Sequence, residues 1–259
     1  LLKEKIFSHC SMLAFSIFVS GSFTFGSLIA NEISPELLTL YRFLLATIIL
    51  GVILQFNKSI HSHHLKNIWR YFVLGAIYSI YFVFMFVALK YTTTVSTAAI
   101  FTLLPLFAAL LERLFLKKSS PVLIWAALIL SGMGALWIIF EGSINGLFQF
   151  RFEEGEAIFL VGTICYASYA IIQPKLFKGE NIYVTTLGVL AAGSIILAIS
   201  LILQQSSFIV DKITFEVFWV IFYLAIFASI GSITCLNYAS PRLSAPVVSA
   251  YTLLVPFWV

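Results

Sequence analysis

The chain has 259 residues, of which 61% are hydrophobic and only 10% charged, and its mean hydropathy is +1.04. A soluble domain of ordinary usage carries about 25% charged residues, and one core of this length cannot hide so much apolar side chain from water, so the chain must use lipid as its solvent. The net charge of +4 is too small to name a partner, and no stretch is basic and aromatic enough to bind nucleic acid.

A spanning helix needs about 20 apolar residues. Nine stretches qualify, in chain order 10–30, 35–55, 69–89, 95–116, 121–140, 155–174, 183–204, 215–237 and 244–259. Ser34-Pro35-Glu36 and Ser120-Pro121 each place a capping residue before a proline at the first helical position. Glu141-Gly142-Ser143 and the run from Lys178 to Asn181 are polar interruptions. The connections are short, so consecutive helices are expected to be antiparallel neighbours. The first residue is Leu1 and the last stretch stops at Val259, which reads as a fragment of a longer chain. Cys10, Cys165 and Cys235 lie in apolar runs without CxxC spacing and read as small core hydrophobes.

Eleven of the fifteen Lys and Arg fall at the N-terminus and in the even-numbered connections, among them Lys58, Arg70, Arg113, Lys117 and Lys178. The odd-numbered connections hold Lys90, Arg151 and Lys212, with Arg42 just inside the second stretch. Positive residues stay on the cytoplasmic side, so the N-terminus is expected in the cytoplasm. All five tryptophans fall near helix ends, as an interfacial belt requires.

The fourth and ninth stretches echo one another. Ala88 and Ala239, and likewise Pro105 and Pro256, are 151 positions apart (239 − 88 and 256 − 105). Ala99/Ala250 and Leu103/Leu254 share that offset. The fourth helix runs outside to inside and the ninth the reverse, so a repeat of five spans must enter the membrane upside down. Secondary transporters are commonly built this way, with the substrate site near the midplane.

The first half reads GSFTFGSLIANEISPELLTLYRFLLATIIL, then ALKYTTTVSTAAIFTLLPLFAALLERLFLKKSSPVLIWAALILSGMGAL. With Gly21-Ser22, Pro35, Tyr41-Arg42-Phe43, Pro105 and Ser131-Gly132-Met133-Gly134 in this order, it resembles the EamA-like branch of the drug/metabolite transporter superfamily. The resemblance implies ten helices in two inverted five-helix repeats with both termini cytoplasmic, exporting or exchanging amino acids and other small metabolites. The expected fold is therefore an all-α polytopic membrane protein with nine of ten helices present. Residues 1–141 would form the first repeat and 142–259 the second, lacking its tenth helix. The family's Gly-Glu after the fourth helix is replaced by Lys117-Lys118, and Glu112 stands a helical turn earlier.

Ionisable residues inside a span are costly and tend to be functional. Arg42 reads either as an anion contact in a cavity or as an arginine snorkelling to the outer interface. Glu112 is a candidate for coupling, with an interfacial structural carboxylate as its alternative. Pro105 and Pro256 each remove a backbone hydrogen bond in mid-span and are expected to kink their helices at a central cavity. The expected polar lining is Tyr78 and Tyr81, Thr97 and Thr102, Tyr166, Tyr169 and Gln173, Ser229, Ser232 and Asn237, and Ser249 and Tyr251. Tyr166, Tyr169 and Gln173 share one helix face, although hydroxyls and amides also simply join helices. Gly188/Ala192 and Ala127/Ser131/Ala135 read as close helix packing. His61, His63 and His64 have no acid or cysteine beside them and read as solvated loop, not as a metal site.

The expected function is a secondary transporter, exporter or exchanger, moving a small amphipathic metabolite such as an amino acid across the cytoplasmic membrane by alternating access. Its partners are that metabolite and membrane lipid, with no cofactor, no metal and no nucleic acid; a homodimer is compatible with the pattern. The alternatives are an intramembrane lipid-modifying enzyme and a receptor or assembly subunit without flux. An intramembrane protease is disfavoured, since Asp211 is the only aspartate and neither GxSG nor HExxH occurs.

Overall fold

The computed structural model describes residues 2–58, 67–117, 121–140, 142–143, 153–206, 214–243 and 245–259. Lys66, Lys118, Ser120, Glu141, Arg151, Asp211, Lys212, Ser244 and the histidines at 61, 63 and 64 lie outside the described residues. The described chain is helical throughout, without a strand. The helices are α1 (Leu2–Leu28), α2 (Pro35–Phe56), α3 (Trp69–Ala88), α4 (Thr94–Phe101), α5 (Leu104–Leu116) and α6 (Val122–Ile139). They continue as α7 (Glu154–Leu176), α8 (Ile182–Leu203), α9 (Phe215–Ala225), a π-helical turn (Ile226–Gly231) and α10 (Ser232–Ala239). Last come α11 (Ala245–Ala250), a 3-10 turn (Tyr251–Leu254) and α12 (Val255–Trp258).

Eight stretches are long and apolar enough to cross a membrane: Lys3–Leu28, Pro35–Phe56, Trp69–Ala88, Thr94–Phe115, Val122–Ile139, Glu154–Leu176, Ile182–Leu203 and Phe215–Ala239. The protein is an all-α, multi-pass integral membrane protein. The ninth expected span is shorter: Val247–Trp258 is apolar but below spanning length, and it is broken. Pro256 has no N–H to offer the preceding turn, and that turn tightens, with the Val255 N–H bonding the Thr252 carbonyl. The fourth span is likewise two helices, parted at Thr102 and Leu103.

Helix starts are satisfied locally, as lipid demands. The Ser34 hydroxyl accepts from the Leu37 N–H at 3.3 Å ahead of Pro35. Thr93 and Thr214 do the same for Ser96 (3.1 Å) and Val217 (3.2 Å), and Asn181 for Tyr183 (2.9 Å). At α6 the structure differs from expectation: Pro121 itself occupies the capping position, and Val122 is the first helical residue.

Helix α3 is the hub, packed on α2, α7 and α8. Two glycines allow that approach. A Cβ on Gly75 would lie 2.8 Å from the Gly193 nitrogen and 2.9 Å from the Val189 carbonyl oxygen, so α3 and α8 touch backbone to backbone. A Cβ on Gly188 would meet the Tyr71 ring at 2.7 Å, so the Gly188/Ala192 stripe is close packing as read. The α6 stripe is not: Ala135 is buried but Ala127 is exposed, because α6 packs mainly on α4 and α5 at the bundle's edge. Its Val122 and Leu123 are 84% and 80% exposed, a lipid-facing surface. Cys10 is also exposed, not core, and Cys165 and Cys235 are half-buried.

Candidate functional site

Arg42 lies two turns into α2 and is fully buried. Its Nε donates to the Ser229 hydroxyl at 2.9 Å and its Nη2 to the Ala228 carbonyl at 3.3 Å. The guanidinium carbon stands 3.8 Å from the centre of the Phe82 ring, a cation–π contact. Nη1 has no hydrogen-bond partner among the described residues. The buried Arg70–Glu180 ion pair is made elsewhere, and no carboxylate of the described residues pairs with Arg42.

The π-helical turn makes this possible. In an α-helix the Ser232 N–H would take the Ala228 carbonyl. Here it reaches the Phe227 and Ser229 carbonyls instead, and the Ala228 oxygen accepts from Arg42 and from the Ser232 hydroxyl at 2.8 Å. The Ser229 hydroxyl donates to the Leu224 carbonyl at 2.9 Å, which turns a lone pair towards Arg42. Such turns recur at functional positions in helices.

Arg42 forms part of the wall of a cavity of about 50 Å³, with Tyr78, Tyr81, Phe82, Phe101 and Tyr166 among its neighbours there. The rings of Tyr81 and Tyr166 stack at 4.5 Å and those of Phe43 and Tyr78 at 5.6 Å. Tyr169 lies behind, 5.1 Å from Tyr78.

Of the residues expected to line a cavity, Arg42, Tyr78, Tyr81, Tyr166 and Ser232 do so, and Ser229 holds Arg42. The others lie elsewhere. The hydroxyls of Thr97 and Thr102 bond carbonyls of their own helix, Thr93 at 2.8 Å and Ala99 at 2.6 Å. Tyr251 meets His9 on α1 at 2.7 Å, and the neighbouring Ser249 carbonyl accepts from Thr252 at 2.7 Å. Gln173 and Glu112 are half-buried and off this cavity, and the Asn237 amide nitrogen is buried without a partner, also off it.

A model of the EamA-like transporter family matches residues 6–140. The chain belongs to the EamA-like transporter family. It is 29% identical over 250 residues to the uncharacterized transporter YyaM of Bacillus subtilis, covering 96% of this chain and 82% of that protein. It is 25% identical over 252 residues to an uncharacterized transporter of Archaeoglobus fulgidus, covering 95% of this chain and 85% of the other. A crystal structure shares the fold with a TM-score of 0.69 at 14% identity, over 99% of this chain and 85% of that one.

In this EamA-like protein the two prolines stand at matching breaks. Pro105 is the second residue of α5 and Pro256 the second of α12. The helix starts, Leu104 and Val255, keep the 151-residue offset (255 − 104). Sequence reading missed Phe82, Phe23, Phe101 and the Ala228 carbonyl. The apolar rings carry no polar mark, and nothing in the residues Ile226 to Gly231 announces a π-helical turn.

Proposed function

We propose that this EamA-like transporter moves a small amphipathic metabolite, such as an amino acid, by alternating access, as exporter or exchanger, with its N-terminus in the cytoplasm and Arg42 as the solute's anion contact. The carrying observation is the fully buried Arg42 with an unpartnered Nη1 at an aromatic cavity. A buried cation without a carboxylate is costly, and such residues inside membranes mark substrate pathways.

The packing supports the inverted repeat. Exchanging each span with the one five places on turns a contact between spans three and six into one between eight and one. Both exist, as α3 on α7 and α10 on α1. Spans four and six become nine and one, seen as α5 on α7 and α12 on α1. Spans two and seven map onto themselves and pack as α2 on α8. Arg42 on α2 and the π-helical turn therefore bring the two halves together at the cavity. At about 50 Å³ the cavity is far smaller than a small-molecule site, which typically spans about 300–1,000 Å³. A whole metabolite enters only when the halves part, which is the motion alternating access needs.

The test is flux into proteoliposomes holding the full-length protein, with a panel of labelled metabolites. The expected result is saturable flux of at least one solute, abolished in Arg42→Gln. No flux across the whole panel, with the protein shown to be folded and inserted, would refute the reading.

A further inference from the structure

We infer that the cavity takes an organic monoanion, a carboxylate on a compact apolar body with no ammonium group, and that an α-amino acid fits it less well. This rests on the transporter reading and narrows its solute. Among the described residues the wall holds one cation, Arg42, and no acidic residue. Its neutral partners cover Nε, Nη2 and one face of the guanidinium, and leave Nη1 for a ligand. A carboxylate both pairs with Nη1 and cancels the buried charge.

An ammonium group has no such place. It would lie beside Arg42 with no carboxylate to hold it. Aromatic faces are the other cation sites a protein offers, and those around the guanidinium are largely taken up. Phe82 is covered by Arg42, Tyr81 and Tyr166 stack on each other at 4.5 Å, and Phe43 covers one face of Tyr78. An inorganic oxyanion fits poorly for the opposite reason. Arg42 balances only one charge, and apart from the hydroxyls of Ser22, Ser232, Tyr78, Tyr81 and Tyr166 the wall is apolar, so a second charge would stay buried and uncompensated.

Four probes of one shape separate these cases: 3-phenylpropionate, phenylalanine, 2-phenylethylamine and 3-phenylpropanamide. Binding to the purified protein in lipid nanodiscs is measured by calorimetry. The carboxylate is expected to bind at least about tenfold tighter than the other three, the order expected of a charged hydrogen bond in a dry site. Arg42→Lys keeps part of that preference and Arg42→Gln loses it. If Arg42→Gln does not fold, the ranking of the four probes on the unaltered protein still decides. Phenylalanine or the amine binding as tightly as the carboxylate overturns the inference, as does equal binding of the amide, or no binding by any probe. Phenylpropionate binding in a protein that moves no solute would sink the transport reading and leave this one standing. Flux with a preference for zwitterions would do the reverse.

Discussion

Arg70 at the start of α3 and Glu180 between α7 and α8 form an ion pair, Nη1 to Oε1 at 2.8 Å, with side chains 4% and 3% exposed. The pair ties the first half of the chain to the second at one end of the bundle. Arg70 also donates to the Leu176 carbonyl at 3.0 Å and the Tyr71 hydroxyl at 3.1 Å. Glu180 accepts from Thr185 at 3.2 Å and from the Lys178 N–H at 3.1 Å. Removing either partner strands a buried charge, which typically costs about 3–5 kcal/mol. Thermal unfolding in detergent should show Arg70→Ala and Glu180→Ala each strongly destabilised, and the double variant far less so than their sum. Additive losses would mean that the two charges are not coupled.

The same pair sets a pH dependence. Burial pushes the Glu180 carboxyl up, but the hydrogen bonds it accepts and the Arg70 guanidinium outweigh burial and hold it below its ordinary 4.5. A carboxyl depressed in the folded state stabilises fully above its unfolded value, and loses that stabilisation as pH falls through the lower folded value. The melting-temperature advantage over Glu180→Gln should therefore be constant from pH 7 to about 5 and shrink below 4.5. An advantage that persists unchanged at pH 3 would contradict this.

Gly75 and Gly134 make a matched pair. A side chain at Gly75 collides with backbone atoms of α8 that cannot step aside, whereas nothing lies within 4 Å of a Cβ at Gly134. Gly75→Val should cost about 1–3 kcal/mol through overpacking. Gly134→Ala should be neutral or stabilising by up to about 1 kcal/mol through helix propensity. Melting temperatures of the two variants check both.

Pro105 opens α5 after the break at Thr102 and Leu103. Pro105→Ala restores a donor and lets α4 run on into α5. Stability should hold or rise while flux of a transported solute falls severalfold, since a continuous helix no longer bends there. Loss of stability with unchanged flux would make the break a packing detail.

The proposed orientation puts the exposed Glu32 outside and the exposed Lys178 inside. In a variant with Cys10, Cys165 and Cys235 replaced by alanine, Glu32→Cys should react with a membrane-impermeant maleimide in intact cells. Lys178→Cys should react only after permeabilisation. The reverse pattern inverts the topology.

Much of this could be read before any coordinates. Eight of the nine stretches read as spans are long and apolar enough to cross a membrane, because lipid imposes one requirement on every segment; the ninth is shorter and broken. Pro105 and Pro256 marked the two broken helices for a similarly local reason, the missing N–H. The cavity was harder. Arg42, Tyr78, Tyr81 and Tyr166 stood out as polar groups in apolar helices. Thr97, Thr102, Ser249 and Tyr251 stood out for the same reason yet do not line this cavity. A hydroxyl bonded to its own helix, as in Thr97, looks the same in sequence as one facing a cavity.

The sequence by itself determined the solvent, eight of the nine apolar stretches, the helix start at Ser34 and the sites of the two breaks, since each depends on residues within a turn or two. Only the tertiary structure decided that Arg42 has Ser229 and the Ala228 carbonyl as neighbours and, among the described residues, no carboxylate. Those partners lie 187 and 186 positions away in the chain, and the Ser232 N–H bypasses the Ala228 oxygen where the helix widens. Charge in a membrane protein is a property of what surrounds it, and that is settled by packing between distant spans.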